Sequence, residues 1–268
     1  MKPCINQFCT RRQMFKGVGV GILAASIPSC IKSPKRHIVT LSFDDGFLKS
    51  SLKTAEIYEK YGLSACINVV ATAHMKSFQL PNEYHKWAVG DFGVWNELRE
   101  RGHEIMPHGY MHANLRDMPI EKAKNLIMRC LEFFSKELKN FDPSQSIFNF
   151  PYNASSPELE AWLPTQVKAF RTGGEPINAM PHKNQVKLTC VSFGPENIDN
   201  DLQQKVDELL SRSSGWLIYN THGLDEEGWG PMSSQFLDDL LQRLTSIDTV
   251  AILPAGQALA KSLYVLEI

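Results

Sequence analysis

Between residues 37 and 253 the chain alternates short β-branched, apolar runs with segments of helical periodicity. No other feature constrains the fold as much. The pattern predicts strands over 37–43, 64–71, 103–107, 146–150, 167–170, 186–193, 215–220 and 249–253. It predicts helices over 48–61, 92–101, 120–138, 157–163, 202–211 and 234–244. The first helix stops at Gly62 and the second at Gly102, and Pro157 opens the fourth near its first turn. Ala123, Ile127, Leu131, Phe134 and Leu138 put one apolar stripe on the third. Strand–helix alternation over this length implies an α/β protein with a parallel sheet, most simply closed into a (β/α) barrel. Chemistry in such barrels sits at the C-terminal strand ends. Reactive residues are therefore expected just after strands.

The residues before this region read as an address. Lys2, Arg11, Arg12 and Lys16 stand with no acid among them, and an apolar run from Gly17 to Ile27 follows. That run is shorter than the ~20 residues a membrane-spanning helix needs, and it suits a signal-peptide core. Thr10–Lys16, with its Arg11-Arg12 pair, resembles a twin-arginine export signal. Ile27-Pro28-Ser29-Cys30 is similar to a lipoprotein cleavage box. The expected organisation is an export signal over 1–30, a linker over 31–36 and one domain over 37–268. The mature protein is expected to be periplasmic, or a lipoprotein whose only membrane tie is an anchor at Cys30.

Composition excludes several other classes. The formal net charge is -1 and no basic stripe accompanies aromatics, so nucleic acid is not an expected partner. No pair among the six cysteines has Cys-x-x-Cys spacing. Cys66, Cys130 and Cys190 sit in apolar runs and read as buried thiols, without a disulfide framework.

The strand-end expectation picks out one constellation. Asp44-Asp45-Gly46 follows the first strand, and His108-Gly109-Tyr110-Met111-His112 follows the strand at 103–107. Pro151-Tyr152 follows the strand at 146–150, and His222 the strand at 215–220. His108 and His112 are four apart; on a helical turn both imidazoles face one way and can grip one ion. A carboxylate completes a two-His-one-Asp set with open positions, the pattern of a catalytic rather than a structural metal. Two carboxylates, three imidazoles and a Pro-Tyr turn then share one rim.

These residues resemble the motifs of the polysaccharide deacetylase family, also called the NodB-homology domain or carbohydrate esterase family 4. The resemblance runs from about Ile38 to about Leu253. Ser42-Phe43-Asp44-Asp45-Gly46 matches the first motif, and His108 with His112 matches the second. Pro151-Tyr152 matches half of the third, with Asn149 where the family has Arg. His222 in Tyr219-Asn220-Thr221-His222 represents the last without its Leu. The fourth motif, an Asp/Trp segment, has no counterpart; Phe170-Arg171-Thr172-Gly173 occupies that region.

The resemblance implies a distorted, NodB-like (β/α) barrel. The implied activity is metal-dependent removal of acetyl groups from N-acetylated, or O-acetylated, sugars of an acetylated polysaccharide or oligosaccharide. It implies a divalent metal, zinc first, on Asp45, His108 and His112. It makes Asp44 the general base, the Tyr152 N–H beside Pro151 an oxyanion donor, and His222 the acid that protonates the leaving amine. Asn149 brings no charge to support Asp44, and Arg171 can replace it from another strand. Trp229 can stack on a sugar ring. Two other readings stay open: a catalytically silent carbohydrate-binding relative, and a metal-dependent hydrolase of a non-sugar amide.

Other residues read more plainly. His103 is expected to be a hydrogen-bonded strand residue, and His74, His85 and His182 solvated loop residues. The remaining tryptophans are expected in the core, and Asp225-Glu226-Glu227 in a solvated loop. The stretch 72–90 reads as a lid, a substrate loop or a structural insertion.

Overall fold

The computed structural model describes residues 34–78 and 86–261. The export signal, the first half of the linker, Cys30 and His85 lie outside them. No helix among the described residues is long and apolar enough to cross a membrane.

Chain order is β1 (His37–Phe43), α1 (Leu48–Lys60), β2 (Cys66–Val69), α2 (Phe92–Glu100), β3 (Glu104–Pro107), α3 (Ile120–Glu137), β4 (Ile147–Asn149), α4 (Pro157–Trp162). It continues with β5 (Ala169–Gly173), β6 (Ile177–Asn178), β7 (Lys187–Cys190), α5 (Asp199–Ser211), β8 (Gly215–Thr221), α6 (Ser234–Thr245), β9 (Val250–Ile252), α7 (Ala255–Lys261). Every strand and helix expected from periodicity is present, most with shorter ends. Two short elements carried no signal. β6 has two residues, too few to show a period, and the pattern of α7 merges with the apolar stretch that follows β9.

The strands form two sheets that make a distorted barrel. One runs β3-β2-β1-β8-β6, with β9 also on β1; the other runs β4-β5-β7. All pairings are parallel except β6 on β8. At one seam, Val191 after β7 bridges Tyr219 of β8, and Asn220 N–H donates to Val191 O at 2.8 Å. At the other, Asn149 Nδ2 of β4 reaches Pro107 O of β3 at 3.4 Å. The two sheets thus meet at these seams through scattered hydrogen bonds rather than full ladders.

Period-two side-chain alternation decides what each strand offers the interior. Ile38, Ile147, Ala169, Trp216 and Ile218 pack together between the two sheets. Their neighbours Val39, Leu41, Phe148, Phe170, Leu217 and Tyr219 pack with the helices. Two or four residues further along the same inward rows come Ser42, Asn149, Arg171 and Asn220, all buried. The interior therefore changes from apolar to polar toward the C-terminal strand ends. Buried polar groups survive there only if paired.

Candidate active site

The β1 exit turns sharply. Asp45 has φ 72° and Gly46 φ 74°. A Cβ on Gly46 would lie 3.0 Å from both Trp95 and Val69, so this position needs glycine for room as well as for backbone freedom. The turn gives the two acids different surroundings. Asp44 points among the polar interior side chains, with its Oδ2 3.5 Å from His108 Nε2, while Asp45 faces both His108 and His112.

Asp44 is held by an unusually complete set of donors. Arg171 Nη2 reaches its Oδ2 at 2.6 Å and Nη1 its Oδ1 at 3.1 Å, the two-pronged geometry that suits a carboxylate. Asn68 Nδ2 donates to Oδ1 at 2.7 Å. Asn149 Nδ2 donates in turn to Asn68 Oδ1 at 2.9 Å. Asn149 and Arg171 are direct register partners on β4 and β5. The charge missing at Asn149 is thus delivered from the adjacent strand. Burial opposes ionisation of Asp44, yet Arg171 and the nearby imidazoles hold its pKa at about 2.

Asp45, His108 and His112 form a second cluster, with one donor atom from each all within 4.8 Å of one another. Asp45 Oδ1 lies 3.2 Å from His112 Nε2 and 3.6 Å from His108 Nε2. The expected helical turn is absent here. Gly109 has φ 85° and His112 φ 50°. The carbonyls of Gly109 and Tyr110 accept from the backbone N–H of Ala71 and Thr72, so the segment follows the exit of β2 instead of coiling. The imidazoles converge all the same, ring centres 5.2 Å apart. His108 Nδ1 lies 3.0 Å from Asn149 O, an acceptor only, so Nδ1 carries the proton and Nε2 keeps its lone pair.

The electrostatics suit a cation. Asp45 Oδ1 is buried and accepts no hydrogen bond. Burial, with the neighbouring Asp44 charge, lifts the Asp45 pKa to about 6. Burial depresses His108 to about 3 and His112 to about 4, so both rings are neutral near pH 7. An orphaned buried carboxylate oxygen beside two neutral imidazoles, with the His108 Nε2 lone pair free, fits a divalent metal of the zinc type.

Both acids open onto a cleft of about 680 Å³, lined also by His112, Tyr152, Asn153, Asn220, His222, Trp87 and Trp229. Tyr152 has φ 58°, ψ 13°, and its ring centre lies 4.7 Å from that of His112. Gly109 leaves space for this turn, since a Cβ there would meet Pro151 Cγ at 2.9 Å. His222 and Trp229 meet edge to face at 5.5 Å. The structure thus brings Asp44, Asp45, His108, His112, Asn149, Pro151, Tyr152, Arg171, His222 and Trp229 to one place.

Three readings change. Glu227 is buried, not solvated: its Oε2 accepts from Ser50 N and Oγ, both at 2.8 Å, and ties the loop after His222 to the first turn of α1. His74 is half-buried, its ring edge-on to Phe92 at 5.8 Å. Trp87 is a cleft residue rather than core. His103 makes two hydrogen bonds, as expected, but stands just before β3 rather than in it, and His182 is exposed, as expected. Sequence reading missed Asn153, Ser192 and Asn220 in the cleft. Asn220 had a signal, standing two residues before His222 on one strand face; Ser192 had none.

Comparison with known proteins agrees with this geometry. The polysaccharide deacetylase family model matches residues 31–163, a span holding Asp44, Asp45, His108, His112, Pro151 and Tyr152 but neither Arg171 nor His222. No curated protein matches the chain. A Mycobacterium smegmatis structure assigned as a polysaccharide deacetylase is 12% identical with a TM-score of 0.66, over 87% of this chain and 92% of that one. A family 4 acetyl xylan esterase from Clostridium thermocellum, in complex with a cobalt ion, is 15% identical with a TM-score of 0.57, over 84% and 91%. A peptidoglycan deacetylase from Bacillus subtilis is 14% identical with a TM-score of 0.53, over 88% and 96%. At these identities the likeness concerns the fold, and the family rests on the sequence match: the chain belongs to the polysaccharide deacetylase family.

Proposed function

We propose that this protein is a metal-dependent hydrolase that removes acetyl groups from N-acetylated sugars of a polysaccharide. One observation carries the reading: the Asp45–His108–His112 donor set and a separately held carboxylate, Asp44, open onto one aromatic-walled cleft with His222. Asp45, His108 and His112 would hold a divalent ion, which when bound would supply Lewis-acid pull on an acetyl carbonyl and lower the pKa of a water.

The chain's own residues supply the rest. Asp44, ionised at any working pH, accepts the proton of the attacking water. The Tyr152 N–H donates to the oxygen that gains charge, a contribution on the order of 10²–10³ in rate. His222 gives a proton to the departing nitrogen, worth about 10²–10⁴. Acetate and a free sugar amine result. Trp229 and Trp87 flank the bound sugar. The names of the structural neighbours, an acetyl xylan esterase and a peptidoglycan deacetylase, support an acetylated polymer as substrate. Export remains a proposal resting on residues 1–30.

Incubating the zinc-loaded protein with N-acetylglucosamine oligomers, peptidoglycan and acetylated xylan, then analysing products by mass spectrometry, tests the reading. Free amines on the N-acetylated substrates are expected. Deacetylation of xylan alone would move the reading to O-acetyl esters, and no change in any substrate would refute it.

A further inference from the structure

We infer that Asn153 is a positioning residue, holding the Tyr152 N–H in register with His222 and Asp44. The inference rests on the deacetylase reading. Tyr152 and Asn153 are consecutive left-handed residues, with φ 58° and 51°. Non-glycine residues there cost on the order of 1 kcal/mol each, so surrounding contacts must hold them.

Asn153 is the residue those contacts grip. Its Nδ2 donates to Asn220 Oδ1 at 3.1 Å and to Ser192 Oγ at 3.4 Å. Its Oδ1 accepts from Cys190 Sγ at 3.3 Å, and its carbonyl from Thr172 Oγ1 at 3.0 Å. Its N–H donates to Phe150 O at 3.1 Å. β5, β8 and the end of β7 thus all fasten the residue beside Tyr152.

The tie continues to the other two groups. Asn220 precedes His222 by two residues, and its Nδ2 donates to Ser42 O at 3.3 Å, two residues before Asp44. One hydrogen-bonded path therefore joins the Tyr152 turn to the strand ends carrying the proposed acid and base. Asn153 lines the cleft, yet both its amide hydrogens and its Oδ1 already have protein partners. That distinguishes positioning from substrate reading.

Asn153→Gly tests this, because glycine keeps the left-handed backbone and removes only the tether. The variant is expected to lose on the order of 10²-fold in kcat, as misplacing a group by about 1 Å does. KM should stay within about twofold, with melting temperature and one zinc per chain unchanged. Amide hydrogen exchange over residues 150–154 should quicken by at least about tenfold. Asn153→Asp keeps size and backbone tolerance but loses the donors, and should show the same kcat loss. Activity within about twofold of the parent, unchanged exchange, or loss of activity in step with melting temperature would overturn the inference. A parent protein inactive on every substrate would refute the deacetylase reading, leaving hydrogen exchange to decide the tether.

Discussion

Arg171→Met is expected to lower kcat on the order of 10²-fold and to destabilise the fold by about 3–5 kcal/mol. Arg171 and Asp44 are both buried, and the guanidinium makes two hydrogen bonds to the carboxylate. Removing the cation leaves a charge in a water-poor interior, which costs far more than an exposed pair is worth. Arg171→Lys should rescue little, because an ammonium keeps the charge but not the fork.

A double-variant cycle separates structure from chemistry. Asp44→Asn alone leaves Arg171 buried without its counter-charge, so it too should destabilise. The pair Asp44→Asn/Arg171→Met removes both charges and should be more stable in urea denaturation than either single variant, while staying inactive. Purely additive stabilities, or activity in Arg171→Met within about twofold of the parent, would show that Arg171 does not support Asp44.

Zinc affinity is expected to rise about tenfold per pH unit up to about pH 6 and then level off. The metal competes with whichever donor titrates highest. His108 and His112 titrate at about 3 and 4, so Asp45, at about 6, controls the competition. The sign in the metal-free chain follows. Asp45 holds its proton more tightly when folded than at its ordinary 3.8, so the folded state loses stability as pH rises from about 4 to about 6. Bound zinc removes that loss. Asp44 behaves oppositely: its pKa is lowered to about 2, so its contribution is complete above about 3.8 and fades as pH falls toward 2. Calorimetric zinc titrations at about pH 5, 6 and 7, with melts of the metal-free protein, check both signs. An affinity still climbing tenfold per unit above pH 6 would put a histidine in control instead.

Much of this site was legible because strand ends are. Alternation places Asp44, Asp45, His108, Tyr152 and His222 at the rim. Arg171, just past the strand expected over 167–170, is from sequence only a candidate to reach the same place; the structure sets it within β5. What escaped the sequence depends on contacts between distant segments. Nothing near His108 announces that Gly109 and His112 adopt left-handed backbone and follow β2. Glu227 sits in an acidic triplet that reads as solvated, and only Ser50 of α1 shows why it is buried. β4 and β5 are adjacent in the sheet, and only their register shows that Arg171 faces the position where Asn149 lacks a charge.

The most direct test of the central claim is acetate release from N-acetylglucosamine oligomers by the zinc-loaded protein, the chelator-treated protein and Asp45→Ala. Release that chelator abolishes, that zinc restores and that Asp45→Ala lowers by at least about 10³-fold is the predicted result. Release indifferent to chelator, or retained within about tenfold by Asp45→Ala, would contradict a metal centre on Asp45, His108 and His112.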